Sequence, residues 1–314
     1  MNLMKDASAA SLQSVEVILV VTTEADPLAS CLALLPAAGE GVNLSVTVVD
    51  NCSSEDIRAA LRGARVSANV LRTSAVLGFG GANNVGIQHA MQKNPPPDAL
   101  LVLNPDVELP PGSIRILCGV LKDMGCGAVS PVTGDKLGGN LEAPLRTLWG
   151  RRLPPVHGRG WQLMEVDRLP GCCMLISSES LRKIGLFDEQ YFLYWEEIDL
   201  CIRLRMANYD LLIAREVSAI HLGAGQGRLK LHRAYYMWRN QIYFAMKNYG
   251  PLLGSLFLAR RLLISNVREV FTYLRRGRAE LILAGLAGLC AGFCGEVGHS
   301  TSRFAVLSSP YRQS

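Results

Sequence analysis

The stretches SVTVVDN (residues 45–51) and LLVLNPD (residues 100–106) decide the fold, because each is a short apolar run that ends on a carboxylate. Such a run, bounded by turn residues, is typical of a strand buried on both faces of a parallel sheet. Parallel strands end at the same edge of a sheet, and ligands bind in the crevice outside that edge. We therefore expect Asp50 and Asp106, which close the two runs, to face one cleft.

Strand and helix patterns alternate around these two runs, which predicts an α/β fold. Further strands are predicted at VEVILVVTT, ANVLRT, AVSPV and GCCMLIS, and shorter ones at YDLLIA and VSAIHLG. The predicted sheet is Rossmann-like, mixed and mostly parallel, with helices on its flanks. Two acids at its edge, without a Walker-type lysine, favour a nucleotide whose diphosphate is held through a divalent metal.

The charge of the chain is unevenly distributed. Residues 226–314 contain 13 Lys and Arg against 3 acids, a net charge of +10, whereas residues 1–225 carry −5. We predict a disordered lead (1–13), a nucleotide-sugar-binding and catalytic domain (14–225) and a basic, apolar helical extension (226–314). The extension suits an anionic membrane surface, packing or dimerisation, and it lacks the aromatic platforms of a nucleic-acid site.

The N-terminal sequence predicts the compartment. MNLMKDASAASLQ lacks the apolar core of a signal peptide, so we expect a cytoplasmic protein, at most peripheral on the inner face of the plasma membrane. The nine cysteines have no zinc-like spacing, which favours small buried thiols in a reducing compartment.

The chain resembles family 2 glycosyltransferases, and among them the rhamnosyltransferase-like enzymes of cell-surface polysaccharides. The resemblance extends from residue 15 to residue 250 and is carried by VVDNCSSED (48–56), LGFGGANNVGI (77–87), LNPDV (103–107), GLFDEQYFLYWEEIDLCIRL (185–204), HLGAGQG (221–227) and YYMWRNQIYF (235–244). It implies a GT-A fold and an inverting, metal-dependent transfer.

The resemblance implies a metal and nucleotide site at the sheet edge. Asp106 matches the last acid of a DxD-like motif, Asn104 stands where the first acid is expected, and His221 is a second candidate ligand for Mg²⁺ or Mn²⁺. A locally bonded histidine at a strand end is the alternative for His221. Asp50 matches the nucleotide-binding aspartate, and a strand-closing turn is compatible with that role.

Four further residues are predicted near the nucleotide. Thr22 and Glu24, just past the first strand, are expected beside the base. Asn83 and Asn84 open a helix after a glycine-rich turn, where they bind the nucleotide or simply cap the helix. Glycines in such a turn permit close backbone approach, although similar turns are common structural connections.

The segment WEEID supplies the candidate catalytic base. The resemblance gives Glu197 this role, with Glu196 as the alternative, Trp195 in the acceptor wall and Gly171 beside the acceptor. The family usually has aspartate at the base position, and acids in a first helical turn also complement the helix dipole. Asp199 is predicted to be structural, paired with Arg203 four residues later.

These observations predict an enzyme that moves a hexose or deoxyhexose, rhamnose by resemblance, from a nucleoside diphosphate to a glycan or lipid-linked acceptor. A non-catalytic sugar-nucleotide-binding protein of the same fold is the alternative. An NAD-dependent dehydrogenase is disfavoured, because the glycine-rich turn follows the third strand and not the first.

Overall fold

The structure is a computed structural model that describes residues 14–22, 26–53, 57–62, 66–134, 155–158, 160–223 and 230–306, so the predicted lead lies outside the described residues. The strands are β1 (Ser14–Val21), β2 (Asn43–Asp50), β3 (Ala68–Arg72), β4 (Ala99–Leu103), β5 (Val107–Glu108), β6 (Ala128–Gly134), β7 (Pro155–Gly158), β8 (Trp161–Glu165), β9 (Cys173–Ser177) and β10 (Leu211–His221). The helices are α1 (Asp26–Ala38), α2 (Ile57–Arg62), α3 (Phe79–Met91), α4 (Ser113–Met124), α5 (Ser178–Ile184), α6 (Glu196–Met206), α7 (Leu231–Arg260), α8 (Val267–Arg275), α9 (Ala279–Phe293) and α10 (Arg303–Val306).

The strands pair into one mixed sheet in the order β3-β2-β1-β4-β9-β6-β10-β8-β7, with β5 on the end of β10. Most strands run in one direction, and β5, β8 and β9 run against it. Alternate side chains of β1 enter two cores: Val17 packs with α1 and α4, and Ile18 packs with α3 and α6. The prediction of a mixed, mostly parallel sheet flanked by helices is confirmed.

Two local predictions need correction. The patterns YDLLIA and VSAIHLG are one eleven-residue strand, β10, whose register shifts between Ala214 and Ser218. The sequence analysis predicts no strand between AVSPV and GCCMLIS, whereas the structure has two there, β7 and β8, which pair with each other. The irregularity of β10 interrupts its alternation, which explains why the sequence pattern divides it in two.

The C-terminal region is helical, as predicted, and its first helix packs against the site. Gly250 has a φ of 70° and breaks α7, and a π-helical segment (Arg261–Asn266) joins α7 to α8. Phe244 and Phe257 of α7 share a buried apolar cluster with Tyr191 and Trp195. Among the described residues, no helix combines the length and the hydropathy needed to cross a membrane.

The glycine-rich turn before α3 permits the close approach of another backbone segment. A Cβ atom on Gly78 would overlap the carbonyl oxygen of Phe192, and the N–H of Phe79 donates to that oxygen at 2.8 Å. A Cβ on Gly80 would lie 2.9 Å from the Cβ of Phe187. The absence of a Cβ at Gly78 and Gly80 therefore allows the loop that contains residues 187–195 to pack against the start of α3.

This contact predicts a difference between two neighbouring glycines. In Gly78→Ala the methyl group meets backbone atoms, so we expect unfolding in urea to need about 1–3 kcal/mol less than in the wild type. In the matched control Gly81→Ala the nearest atom, Cβ of Leu77, is 3.4 Å away, so stability should be unchanged or higher by up to about 1 kcal/mol. Equal stabilities for the two variants would contradict this role of Gly78.

Candidate active site

Asp50 closes β2 and is held from both sides. Its Oδ1 accepts from the backbone N–H of Ser53 at 2.8 Å, and Nη1 of Arg72 lies 3.2 Å from its Oδ2. The next residue, Asn51, bonds through its side chain to both the N–H and the carbonyl of Leu77, at 2.8 and 2.7 Å. Asn51 therefore anchors the segment that leads to the glycine-rich turn, a role that the sequence analysis missed.

Thr22 follows β1, which lies between β2 and β4, so it sits at the same sheet edge. Glu24 lies outside the described residues. The contacts of Thr22 and Glu24 with the nucleotide therefore remain predictions.

Asn83 and Asn84 are buried, and their amides bond within the protein. Asn83 donates to the carbonyl of Phe79 at 2.9 Å. Asn84 donates to the carbonyl of Phe187 and to Oε1 of Glu189, at 2.9 and 2.8 Å, and accepts from the N–H of Phe187 at 3.0 Å. Neither side chain caps α3, because the helix begins at Phe79 and its N-cap is Gly78. The amides instead bond to their own helix and to the facing loop, and the nucleotide role of both residues remains a prediction.

Asp106 and His221 are brought together by the pairing of β5 with the end of β10. Nε2 of His221 lies 3.3 Å from Oδ2 of Asp106. Gly223 packs directly on this carboxylate, since a Cβ at that position would overlap Oδ2. A carboxylate and an imidazole this close together can share a divalent ion such as Mn²⁺, and the same contact also fits a locally bonded histidine. No group of three or more His, Cys, Asp and Glu with metal-binding spacing occurs in the described residues.

Asn104 and Gly171 stand next to this pair. The N–H of Asn104 donates to the carbonyl of Cys172 at 2.8 Å, because β9 runs antiparallel to β4 and begins where β4 ends. Gly171 immediately precedes Cys172 and would place a Cβ 3.3 Å from both Cβ and Cγ of Glu197. The candidate base therefore lies near the end of β4, the strand that leads to Asp106.

Three non-glycine residues of the loop before α6 have left-handed backbone angles. The φ values are 65° at Phe192, 65° at Tyr194 and 82° at Trp195, a conformation that needs support from surrounding structure. Asn240 of α7 gives this support: its Nδ2 bonds to the carbonyls of Tyr191, Leu193 and Tyr194 at 2.8–2.9 Å. The sequence analysis did not assign this role to Asn240.

Arg239 contributes to the same support from the protein interior. Its side chain is fully buried; Nη2 donates to the carbonyl of Tyr191 at 3.0 Å and Nη1 to that of Gly298 at 2.8 Å. Its Nε bonds to Oδ1 of Asn240 at 2.8 Å and fixes that amide. Arg239 and Asn240 lie in YYMWRNQIYF (235–244), one of the stretches that carry the family resemblance. That resemblance is the feature of the sequence that could have indicated their role.

Trp195 is almost entirely buried, which corrects its assignment to the acceptor wall. Its ring packs on Phe244 and Phe257, and its Nε1 donates to the carbonyl of Met237 at 3.0 Å. A side chain with 1% exposure supports the acceptor region from beneath and does not present its ring to a ligand. The sequence cannot distinguish a ring that faces the acceptor from a buried ring, because in both cases an aromatic residue precedes the acids.

Glu196 and Glu197 begin α6 directly after Trp195. Desolvation raises the pKa of Glu196 well above its ordinary value, and the nearby carboxylate of Glu197 adds to the effect. Burial also raises the pKa of Glu197, while backbone hydrogen bonds and the positive charge of Arg168 act in the opposite direction. The half-buried Glu197 borders Gly171, whereas the buried Glu196 has an Oε2 without a partner among the described residues. The geometry therefore favours Glu197 as the proton acceptor.

Asp199 has the structural role predicted for it. It pairs with Arg203 at 2.8 Å and also accepts from Tyr191 and Asn248 at 3.1 and 2.9 Å. Lys247 lies 2.8 Å from the same carboxylate. This buried network joins α6 to α7 beneath the candidate base.

Known proteins resemble the chain over most of its length. A low-salt glycan biosynthesis hexosyltransferase, Agl10 of Haloferax volcanii, is 31% identical over 179 residues, 55% of this chain and 57% of that protein. The chain thus spans less than two thirds of that relative. The N-acetylglucosaminyl-diphospho-decaprenol L-rhamnosyltransferase of Mycobacterium tuberculosis is 29% identical over 274 residues, 76% of this chain and 88% of that protein.

Solved structures agree in fold. The mannosyltransferase PcManGT of Pyrobaculum calidifontis, in complex with GDP-Man and Mn²⁺, has a TM-score of 0.58 at 16% identity, with 94% and 92% of the two chains covered. GalNAc-T7 with UDP, GalNAc and Mn²⁺ has a TM-score of 0.55 at 15% identity, with 69% and 44% covered. The expected GT-A fold is confirmed. Because residues 16–185, more than half of the chain, match the model of glycosyl transferase family 2, this protein belongs to that family.

Proposed function

We propose that the chain transfers a sugar, with inversion at the anomeric carbon, from a nucleoside-diphosphate donor to a glycan or lipid-linked glycan acceptor in cell-surface polysaccharide synthesis. The observation that carries this proposal is the placement of Glu197 against Gly171, beside the edge where Asp106 and His221 meet. Rhamnose is the proposed sugar, because the mycobacterial relative is an L-rhamnosyltransferase.

In the proposed reaction Glu197 accepts the proton of the acceptor hydroxyl while that oxygen attacks the anomeric carbon. Burial raises the pKa of the carboxyl group and so strengthens it as a base. Asp50 lies at the nucleotide end of the same edge, one strand away from β4 across β1. Asp106 and His221 would hold Mg²⁺ or Mn²⁺, which neutralises the charge of the departing diphosphate when bound.

A membrane-facing surface is the second part of the proposal. Exposed apolar side chains recur at intervals of three, four or seven residues from the last part of α7 to α8. They form what we call the C-terminal stripe: Leu252, Leu256, Leu263, Val267, Phe271 and Leu274. Residues 252–276 contain five arginines and a single acid, Glu269. An exposed apolar face with basic residues suits an anionic lipid surface, where a lipid-linked acceptor would also lie.

Removing the candidate base tests the proposed reaction. We expect Glu197→Gln to lower kcat for transfer by about 100- to 10,000-fold with the donor dissociation constant retained, because an amide cannot accept the proton. Release of nucleoside diphosphate from a set of nucleotide sugars, with Mn²⁺ and an acceptor, measures this. The control Glu179→Gln changes an exposed glutamate of α5 and should turn over normally. Donor binding without turnover in the wild type would favour the non-catalytic alternative.

The pH dependence of transfer tests the environment of Glu197. A base must be unprotonated, so the acid limb of kcat/KM should lie above the ordinary glutamate pKa of about 4.3. Arg168→Gln removes a positive charge that favours the carboxylate, so the limb should move to higher pH. Arg182→Gln, at an exposed site on α5, should leave the limb in place. An unmoved limb in Arg168→Gln would contradict the assignment of the titrating group.

Vesicle binding tests the C-terminal stripe. Replacing both Leu263 and Phe271 with Gln should weaken co-sedimentation with phosphatidylglycerol vesicles by at least about tenfold, because two exposed apolar side chains no longer enter the lipid. Met206→Gln, an equally exposed position on α6, is the matched control and should bind as the wild type does. Unchanged sedimentation of the double variant would exclude the stripe as the membrane contact.

A further inference from the structure

Three side chains of α7 and the π-helical segment have buried donor atoms without a partner in the described part of the chain. These atoms are Nη2 of Arg261, Nε2 of Gln241 and Nδ2 of Asn266. Gln241 and Asn266 are 0% and 3% exposed. A buried donor without a hydrogen bond is costly, so several together indicate a ligand with acceptor atoms.

Arg261 is held next to Trp195, and Gln241 is held next to Arg261. The guanidinium carbon of Arg261 lies 5.1 Å from the centre of the Trp195 ring, and its Nε donates to Oε1 of Gln241 at 3.2 Å. Trp195 is the residue before Glu196. Arg261 and Asn266 are the first and last residues of the π-helical segment, a rare conformation that is frequent at functional sites.

The surroundings of Arg261 are strongly positive. Burial lowers the pKa of Arg261 to about 10, and the positive charges of Arg168, Arg260 and Arg233 act in the same direction. Glu269 opposes them, but its carboxylate also accepts a hydrogen bond from Trp238 Nε1 at 2.7 Å. Like charges gathered in a partly dry region are unfavourable unless an anion balances them.

We propose that Arg261, Gln241, Arg168 and Arg233, here called the arginine site, bind the diphosphate of the acceptor. Guanidinium groups match the oxygen geometry of phosphates, and the unpaired amide of Gln241 adds a neutral donor. The inference rests on the proposed function: the name of the mycobacterial relative gives that protein a sugar-diphospho-lipid acceptor, and the inference assigns residues of this chain to such a diphosphate.

The location suits an acceptor of this class. Arg261 packs on Trp195, two residues before Glu197, and Arg168 lies three residues before Gly171, which borders Glu197. The diphosphate would therefore lie close to the hydroxyl that loses its proton. Leu263, in the same π-helical segment as Arg261, is 74% exposed and belongs to the C-terminal stripe. A lipid tail in the membrane and a diphosphate at the arginine site are therefore compatible with one bound molecule.

Titration with inorganic pyrophosphate tests the site directly. A chelator is included so that no metal ion can hold the probe at Asp106. Wild type and Asp106→Ala should bind with the same affinity within about twofold, and Arg261→Gln at least tenfold more weakly, whereas Arg182→Gln should match the wild type. Binding lost in Asp106→Ala and kept in Arg261→Gln would assign the probe to the donor side and overturn the proposal. No binding to any form would mean that the buried donors hold water only, which also overturns it.

Kinetics supply the second readout. The preference for a short-chain sugar-diphospho-lipid over the alkyl glycoside of the same sugar, as a ratio of kcat/KM, should fall at least tenfold in Arg261→Gln; an unchanged ratio contradicts the proposal.

If the wild type uses neither acceptor and hydrolyses no donor, the proposed function fails, and the pyrophosphate titration still decides the arginine site. Arg261→Gln should melt at or above the wild-type temperature, because it removes a repelled buried cation. Should it not fold, Arg168→Gln carries both comparisons.

Discussion

The carbonyl groups of Tyr191, Leu193 and Tyr194 converge on the side-chain amide of Asn240, and the order of the site depends on this contact. Each left-handed non-glycine residue of the loop costs about 1–3 kcal/mol, so the loop would relax to another conformation without compensating bonds. Asn240 is itself fixed by Arg239, whose buried guanidinium also reaches the carbonyl of Tyr191. The direction in which α6 starts, and with it the position of Glu197, follows from these bonds.

The same constraint explains why segments far apart in the sequence form one unit. The loop is bounded on one side by α7 and on the other by the start of α3, where Gly78 admits the carbonyl of Phe192. Asn84 then fixes the segment at Phe187 through its amide. The helix α7 is therefore part of the framework of the candidate site, although residues 226–314 differ in charge from the first 225 residues.

The sequence predicted those features that depend on residues close together in the chain. The apolar runs that end at Asp50 and Asp106 are strands with parallel ends at one edge, and Asp199 pairs with Arg203 four residues later. The burial of Trp195 was not predictable in this way, because it depends on Phe244 and Phe257, about fifty and sixty residues further along the chain. Likewise, Asn84 bonds to a backbone segment more than a hundred residues further along the chain. The residues around Asn84 indicate only the start of a helix, so this contact was not predictable from them.

The candidate site has two different sources of positive charge. Asp106 and His221 would hold a cation at the end of β10, while Arg261, over the ring of Trp195, supplies a fixed positive charge near the start of α6. An enzyme that joins two diphosphate-bearing molecules must keep their negative charges apart and still bring one hydroxyl to one anomeric carbon. In the proposed arrangement a metal ion would neutralise the departing diphosphate and arginines the retained one, so only the former would leave together with its counter-ion. Arg261 and Arg233 could not leave, because they are part of the π-helical segment and of α7. The carboxylate of Glu197 would then receive the proton where both reactants are already neutralised.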